Sequence, residues 1–120
     1  MKLSLSVRVA ESFSDKTKAD MSLRKLAALA VDHGYHAVCM RASQIGTHSS
    51  IEEVGAAHAI LEKCNLAVSM VTGDFPIPQN SDEQGPQALR NITPYLDLAE
   101  NLKSDLLRIC MKKDEDIVWA

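Results

Sequence analysis

Residues 34–44, which read Gly-Tyr-His-Ala-Val-Cys-Met-Arg-Ala-Ser-Gln, combine a helix end, a short strand and the start of a polar loop. Gly34 suits the left-handed conformation that ends many helices. The apolar run from His36 to Arg41 is typical of a strand, and the Ser-, Gly- and Thr-rich residues 42–49 predict a loop after it. This stretch therefore predicts one helix–strand–loop junction of an α/β protein.

The same unit recurs on both sides of this junction. Predicted helices begin after Ser22, after Ser50 in a Ser-x-x-Glu capping box, and at Pro86, with a restart at Thr93-Pro94. The long stretch 73–85 predicts a loop, and residues 114–116 predict the start of a further helix. The predicted strands are Lys2–Val9, His36–Arg41, Leu66–Thr72 and Asp105–Met111. Strand–helix alternation without hairpin signals predicts a parallel sheet with right-handed crossovers.

The two faces of the predicted strands differ in chemistry. One face is apolar, and it carries Leu3, Leu5, Val7, Val9, Val38, Met40, Leu66, Val68, Met70, Leu107, Ile109 and Met111. The other face is small or cationic, and it carries Ser4, Ser6, Arg8, Ala37, Cys39, Arg41, Ala67, Ser69, Val71, Leu106, Arg108, Cys110 and Lys112. Central strands of an open, doubly wound sheet are apolar on both faces. The pattern therefore favours a barrel, with helices outside and a polar interior.

Chain length sets how much of a barrel is present. A (β/α)8 barrel typically needs about 250 residues, whereas this chain has four predicted strands in 120 residues. The fold class is therefore α/β, built of parallel (β/α) units that form half of a (β/α)8 TIM barrel. We expect residues 1–120 to be a single N-terminal half-barrel domain, truncated at the start of its fourth helix.

Composition excludes several classes of function. A net charge of −3 and an aromatic content of 4% disfavour a nucleic-acid binder. No apolar run approaches the roughly 18 residues of a membrane span, and no signal peptide is evident. The three cysteines, Cys39, Cys64 and Cys110, contain no C-x-x-C pair, so we expect buried thiols in a cytoplasmic protein and no zinc cluster.

Polar side chains lie late in the predicted strands or directly after them, at the end where (β/α)8 enzymes build their active sites. The planar fork of an arginine matches carboxylate and phosphate groups. The predicted substrate-binding residues are Arg8, Glu11, Arg41, Ser43, Gln44, Asp74 and Lys112. The alternative for the arginines is a structural ion pair with Glu11 or Asp74, and for Gln44 it is loop stabilisation. Arg108 and His48 are weaker candidates, whereas His33, His36 and His58 are expected to be structural.

Several stretches of the chain resemble the sugar phosphate isomerase/epimerase family of the xylose isomerase-like barrel superfamily. They are residues 6–11 (SVRVAE), 34–44 (GYHAVCMRASQ), 68–75 (VSMVTGDF) and 89–99 (LRNITPYLDLA). The resemblance implies a (β/α)8 barrel that acts on a small polyol, ketose or keto acid. It also implies a divalent metal near the barrel mouth and a carboxylate that shifts a proton between adjacent carbons. In these families the metal ligands come from the second half, so we assign no catalytic or metal residue here and expect the chain alone to be inactive.

Other functions remain open on the sequence. A non-catalytic half-barrel could bind a ligand or assemble with another half, and its two unpaired sheet edges favour self-association. The superfamily resembled also contains apurinic-site endonucleases, which the acidic balance and few aromatic residues disfavour. A response-regulator-like domain is disfavoured because no acidic pair follows the first strand.

Overall fold

The described residues form one four-stranded parallel sheet with helices on its outer face. The computed structural model describes the backbone of residues 1–76 and 84–110 and the side chains of residues 1–73 and 92–109. The strands are β1 (Ser4–Ser6), β2 (Ala37–Met40), β3 (Ala67–Pro76) and β4 (Leu107–Cys110), and the helices are α1 (Leu23–Asp32), α2 (Ile51–Lys63) and α3 (Gln84–Asn101). The strand order is β1-β2-β3-β4, and every neighbouring pair is parallel. This confirms the predicted parallel α/β fold.

Local signals set the helix ends where they were predicted. Ser22 accepts a hydrogen bond from the Lys25 N–H at the start of α1. Ser50 opens α2 in a complete capping box, which satisfies two backbone donors that the first helical turn leaves without partners. Gly34 and Asn65 follow the ends of α1 and α2 with φ values of 76° and 55°. These left-handed residues turn the chain out of each helix and into the next strand.

The main core lies between the outer face of the sheet and the helices. Val38 and Met40 of β2 are fully buried, and Val68 and Val71 of β3 are nearly so. They belong to one apolar cluster with side chains from α1, α2 and α3, including Leu26, Leu61 and Leu98. No helix in the described ranges is both long and apolar enough to cross a membrane.

The first strand is shorter than predicted. The expectation of strand from Lys2 to Val9 is wrong after Ser6, because residues Val7–Ala10 form a 3-10 turn. The Ser6 hydroxyl accepts from the Arg8 N–H, and the Glu11 N–H donates to the Arg8 carbonyl oxygen at 3.0 Å. These local bonds end the two-residue alternation, so Val9 is 65% exposed instead of facing the core.

A bulge in β3 reverses the predicted faces of its second half. Val38 pairs with Val68, but Cys39 pairs with Met70, so Ser69 is an extra residue in the register. One inserted residue shifts every later side chain to the other face. Val71 therefore packs in the outer core and Thr72 lies on the inner face, and the predictions of Val71 inward and Met70 outward are wrong.

The third helix is continuous where a restart was predicted. α3 runs from Gln84 to Asn101 with Pro94 inside it, so the predicted cap at Thr93 is wrong. Proline in a helix interior removes one backbone hydrogen bond. Burial of Leu98, Ala99 and Leu102 near the end of α3 offsets that loss. β3 also continues to Pro76, into the predicted loop 73–85. The helix predicted from residue 114 lies outside the described residues.

Candidate functional site

Three polar side chains meet at the carboxyl ends of β1 and β2. Glu11 follows the 3-10 turn after β1, and Arg41 and Ser43 follow β2. The Arg41 Nε–H donates to Glu11 Oε1, and the Ser43 hydroxyl donates to the same oxygen at 3.2 Å. The Glu11 and Arg41 side chains are 7% and 11% exposed. Parallel neighbouring strands bring their carboxyl ends to one edge, so the cluster lies where barrel enzymes bind substrates.

The loop after β1 holds the Glu11 carboxylate in place. The chain doubles back, and Glu11 forms an antiparallel bridge with Ala19. The Ser12 N–H donates to the Lys18 carbonyl oxygen at 2.9 Å, and the Asp20 N–H donates to the Ala10 carbonyl oxygen at 2.8 Å. The backbone is held on both sides of Glu11. Placing the carboxylate therefore costs the conformational entropy of the side chain only.

The loop after β2 holds Arg41 and Ser43. The Gln44 and Ile45 N–H groups both donate to the Arg41 carbonyl oxygen, at 3.0 and 3.1 Å. The Gln44 side-chain amide donates to the Met21 carbonyl oxygen at 2.8 Å, which ties this loop to the residues before α1. Gln44 thus makes the loop-stabilising bond that was the alternative to substrate binding.

The cluster leaves hydrogen-bonding capacity on Arg41. A guanidinium has five N–H donors and no acceptor. Among the described side chains Glu11 is the acceptor for Arg41, and it takes the Nε–H, so the two terminal NH2 groups have no acceptor there. Glu11 balances the charge and fixes the plane of the guanidinium. The arrangement can therefore present two parallel donors to a carboxylate, a phosphate or vicinal hydroxyl oxygens.

The remaining predicted residues are placed as follows. Arg8 is exposed on the 3-10 turn and makes no side-chain contact with the cluster among the described residues. The side chain of Asp74 and the whole of Lys112 lie outside the described residues. Arg108 is an exposed residue of β4 that pairs in register with Thr72 on the inner face. His48 lines a separate groove of about 300 Å³ beside α1 and α2, away from Glu11.

The described residues do not fit the divalent metal that the resemblance implies. No group of three or more His, Cys, Asp or Glu side chains in these ranges is arranged to hold a metal ion. Glu11, the carboxylate of the cluster, is bound by Arg41 and Ser43. A cation would have to displace the guanidinium from it, so we derive no step through a metal.

Three features of the described residues were not visible in the sequence pattern. The Cys39 thiol lies 3.6 Å from the Thr72 hydroxyl, a contact that exists because the bulge turns Thr72 inward. Cys39 and Cys64 are half-buried free thiols instead of fully buried ones. A cavity of about 680 Å³ lies at the amino ends of the strands, bordered by the small residues Ser4, Ala37 and Ser69. It is at the opposite end of the sheet from Glu11.

Comparison with known proteins establishes the fold. No protein-family model matches the chain, and no curated protein matches it. Among solved structures it is similar to the probable 3-DHS dehydratase AsbF, involved in petrobactin synthesis, from Bacillus anthracis, with a TM-score of 0.65 and 17% identity. It is also similar to a xylose isomerase domain protein from Alicyclobacillus acidocaldarius, with a TM-score of 0.55 and 17% identity.

The similarity covers nearly all of this chain but only part of each neighbour. The matches cover 91% and 89% of this chain but 38% and 35% of the two neighbours, in that order. The chain therefore spans little more than a third of each neighbour. The neighbours are TIM-barrel enzymes, and the four parallel strands of this chain have the fold of half of a (β/α)8 barrel.

Proposed function

We propose that this chain is the N-terminal, substrate-binding half of a barrel enzyme that isomerises or epimerises a sugar or polyol phosphate. The observation that carries the proposal is the nearly buried Arg41 guanidinium, which Glu11 holds at the carboxyl edge of the sheet. The two terminal NH2 groups of Arg41 have no acceptor among the described side chains. A rigid, partly neutralised guanidinium at a barrel mouth is suited to the oxygen atoms of an anionic or polyhydroxylated substrate.

The positions of the three side chains assign each a task. Arg41 binds substrate oxygens, Glu11 orients Arg41 and balances its charge, and Ser43 orients Glu11 through its hydroxyl. A positioned group of this kind contributes by holding the substrate in one orientation. Arg8, Asp74 and Lys112 stay predictions as further substrate-binding residues.

The neighbours support the class of substrate. One is a probable 3-DHS dehydratase and the other is a xylose isomerase domain protein, and xylose is a small polyhydroxylated sugar. In the proposal the proton-transferring carboxylate and the divalent metal belong to the complementary half of the barrel. This chain binds and orients the substrate, a small molecule, and the proposed setting is the cytoplasm.

The test is ligand binding to this chain. A ketose phosphate, the corresponding free ketose and inorganic phosphate would be titrated separately and followed by calorimetry. The informative variant is Arg41→Lys, because lysine keeps the charge beside Glu11 but lacks the planar fork. The matched control is Arg24→Lys on the exposed face of α1.

We expect the ketose phosphate to bind best. Arg41→Lys should weaken its binding by roughly tenfold or more, the usual scale of a lost charge-assisted hydrogen bond. Arg24→Lys should leave it unchanged. Equal binding by the wild type and Arg41→Lys, or no binding of any of the three ligands, would refute the proposal.

A further inference from the structure

We propose that Gln44 is a positioning residue, which fixes the direction of the Arg41 guanidinium by linking the two loops that form the site. The inference rests on the proposed function, in which Arg41 binds the substrate. The first loop, residues 11–21, leads from the 3-10 turn after β1 to α1, and the second loop, residues 41–50, leads from β2 to α2. Glu11 of the first loop pairs with Arg41 of the second, and Gln44 makes a further link between the same loops.

The Gln44 link reaches the far end of the first loop. The Gln44 side-chain amide donates to the Met21 carbonyl oxygen at 2.8 Å, between residues 23 positions apart. This is a normal length for an N–H···O hydrogen bond. Met21 precedes Ser22, the N-cap of α1, so its carbonyl oxygen lies outside the hydrogen bonds of the helix. The oxygen is therefore open to an acceptor role in a tertiary contact, and Gln44 uses it.

The first loop carries this restraint from Met21 back to Glu11, because the loop is closed on itself. Glu11 forms an antiparallel bridge with Ala19. The Asp20 N–H, directly before Met21, donates to the Ala10 carbonyl oxygen, directly before Glu11, at 2.8 Å. The two ends of the loop are thus bonded to each other, and a contact that holds Met21 also holds the backbone of Glu11.

The second loop carries the restraint from Gln44 to Arg41. The N–H groups of Gln44 and Ile45 both donate to the Arg41 carbonyl oxygen, at 3.0 and 3.1 Å, so residues 41–45 form one tight turn. Ile45 is 8% exposed and belongs to the main apolar cluster, which holds the turn against the core. The side chains of Arg41 and Gln44 therefore leave the same restrained turn.

Two links between the loops remove a freedom that one link would leave. With the Glu11–Arg41 pair alone, the loops can rotate about that contact while the ion pair stays formed. The Gln44–Met21 bond is a second point of contact, and it fixes the orientation of one loop relative to the other. Arg41 then presents its planar fork in one direction, which favours a substrate that is held at several points. Gln44 performs this task through Arg41 and without touching the substrate.

The first measurement needs no ligand. Exchange of the Arg41 Nε–H with water, followed by NMR on the full chain, reports how often its bond to Glu11 opens. Gln44→Met keeps the length of the side chain and removes the donor, so it should speed this exchange by roughly tenfold, the upper scale of one lost hydrogen bond. Gln44→Asn keeps the amide but is one methylene shorter, so it should act in the same way. The control Thr47→Ala, at an exposed position of the same loop, should leave the exchange unchanged.

The second measurement separates positioning from a general loss of structure. A ketose phosphate and inorganic phosphate are titrated by calorimetry against the wild type and Gln44→Met, and circular dichroism checks that the variant is folded. The ketose phosphate must meet several groups at once, so its binding should weaken by roughly five- to tenfold. Inorganic phosphate can follow the guanidinium, so its binding should change by about twofold or less. A merely structural role would lower the folded fraction and weaken both ligands equally.

The outcomes separate this inference from the proposed function. Equal exchange of the Arg41 Nε–H in the wild type, Gln44→Met and Gln44→Asn would overturn the inference, and so would an equal loss of affinity for both ligands. A wild type that bound neither ligand would refute the proposed function. Faster exchange in both Gln44 variants would in that case still show that Gln44 holds Arg41 in place.

Discussion

Removing the charge of Glu11 tests whether the Glu11–Arg41–Ser43 cluster is an integral part of the fold. Glu11→Gln keeps the shape of the side chain and one oxygen acceptor for the Arg41 Nε–H and the Ser43 hydroxyl. It leaves the Arg41 guanidinium, whose side chain is 11% exposed, without an opposite charge among the described side chains. We expect the variant to be folded but clearly less stable.

The size of the effect follows from the burial of the pair. Breaking a buried ion pair by removing one partner costs about 3–5 kcal/mol. The small exposure of both side chains and the retained amide oxygen of glutamine lower this to about 2–3 kcal/mol. For a chain of this length, that loss corresponds to a decrease in Tm of roughly 8–12 °C.

The assay is urea denaturation of four proteins: the wild type, Glu11→Gln, Arg41→Met and the double variant. The two changes should be strongly non-additive, with a coupling free energy of about 2 kcal/mol, because each single change leaves the other side chain buried without its partner. The control is Glu62→Gln, since Glu62 is 70% exposed and 3.9 Å from His58. Its effect should be below about 1 kcal/mol.

One result would refute the reasoning. If Glu11→Gln were no more destabilising than Glu62→Gln, or if Glu11→Gln and Arg41→Met were additive, the cluster would not be a coupled buried pair. Arg41 would then be held by its surroundings and not by Glu11, and the positioning task proposed for Glu11 would be wrong.

Three further outcomes are expected. Ser50→Ala removes the capping box of α2 and should cost about 1 kcal/mol in urea denaturation, whereas Thr47→Ala, at an exposed loop position, should be nearly neutral. Gly34→Ala should also cost about 1 kcal/mol, because φ is 76° at Gly34, a left-handed conformation that alanine disfavours. An added Cβ would meet nothing within 4 Å, so the cost comes from the backbone alone. An unchanged midpoint of urea denaturation would contradict this. Hydrogen bonds from the Thr17 hydroxyl and then the Thr17 N–H lower the pKa of Asp15, so Thr17→Val should raise that pKa towards its ordinary value in a carboxyl NMR titration. Because the pKa is lowered in the folded chain, the stability from ionised Asp15 is present at neutral pH and is lost as the pH falls through the lowered pKa.

Much of the fold was predictable because its signals are local. Serine caps at Ser22 and Ser50, the left-handed residue Gly34, and the spacing of the apolar runs each depend on a few adjacent residues. The strand order then followed from chain topology, since parallel neighbours joined by helices pack in sequence. The candidate residues after β1 and β2 followed for the same reason, because parallel strands end at one edge.

The sequence by itself therefore determined the order of the elements, their direction and the edge that carries the polar residues. Only the tertiary structure decided which of those residues meet. The Glu11–Arg41 pair joins positions 30 residues apart, and it depends on the 3-10 turn that ends β1 after three residues. The inward position of Thr72 depends on the extra residue Ser69 in the β3 register. A two-residue alternation contains no mark of an inserted residue, because the bulge forms only when the neighbouring strand is in place to pair.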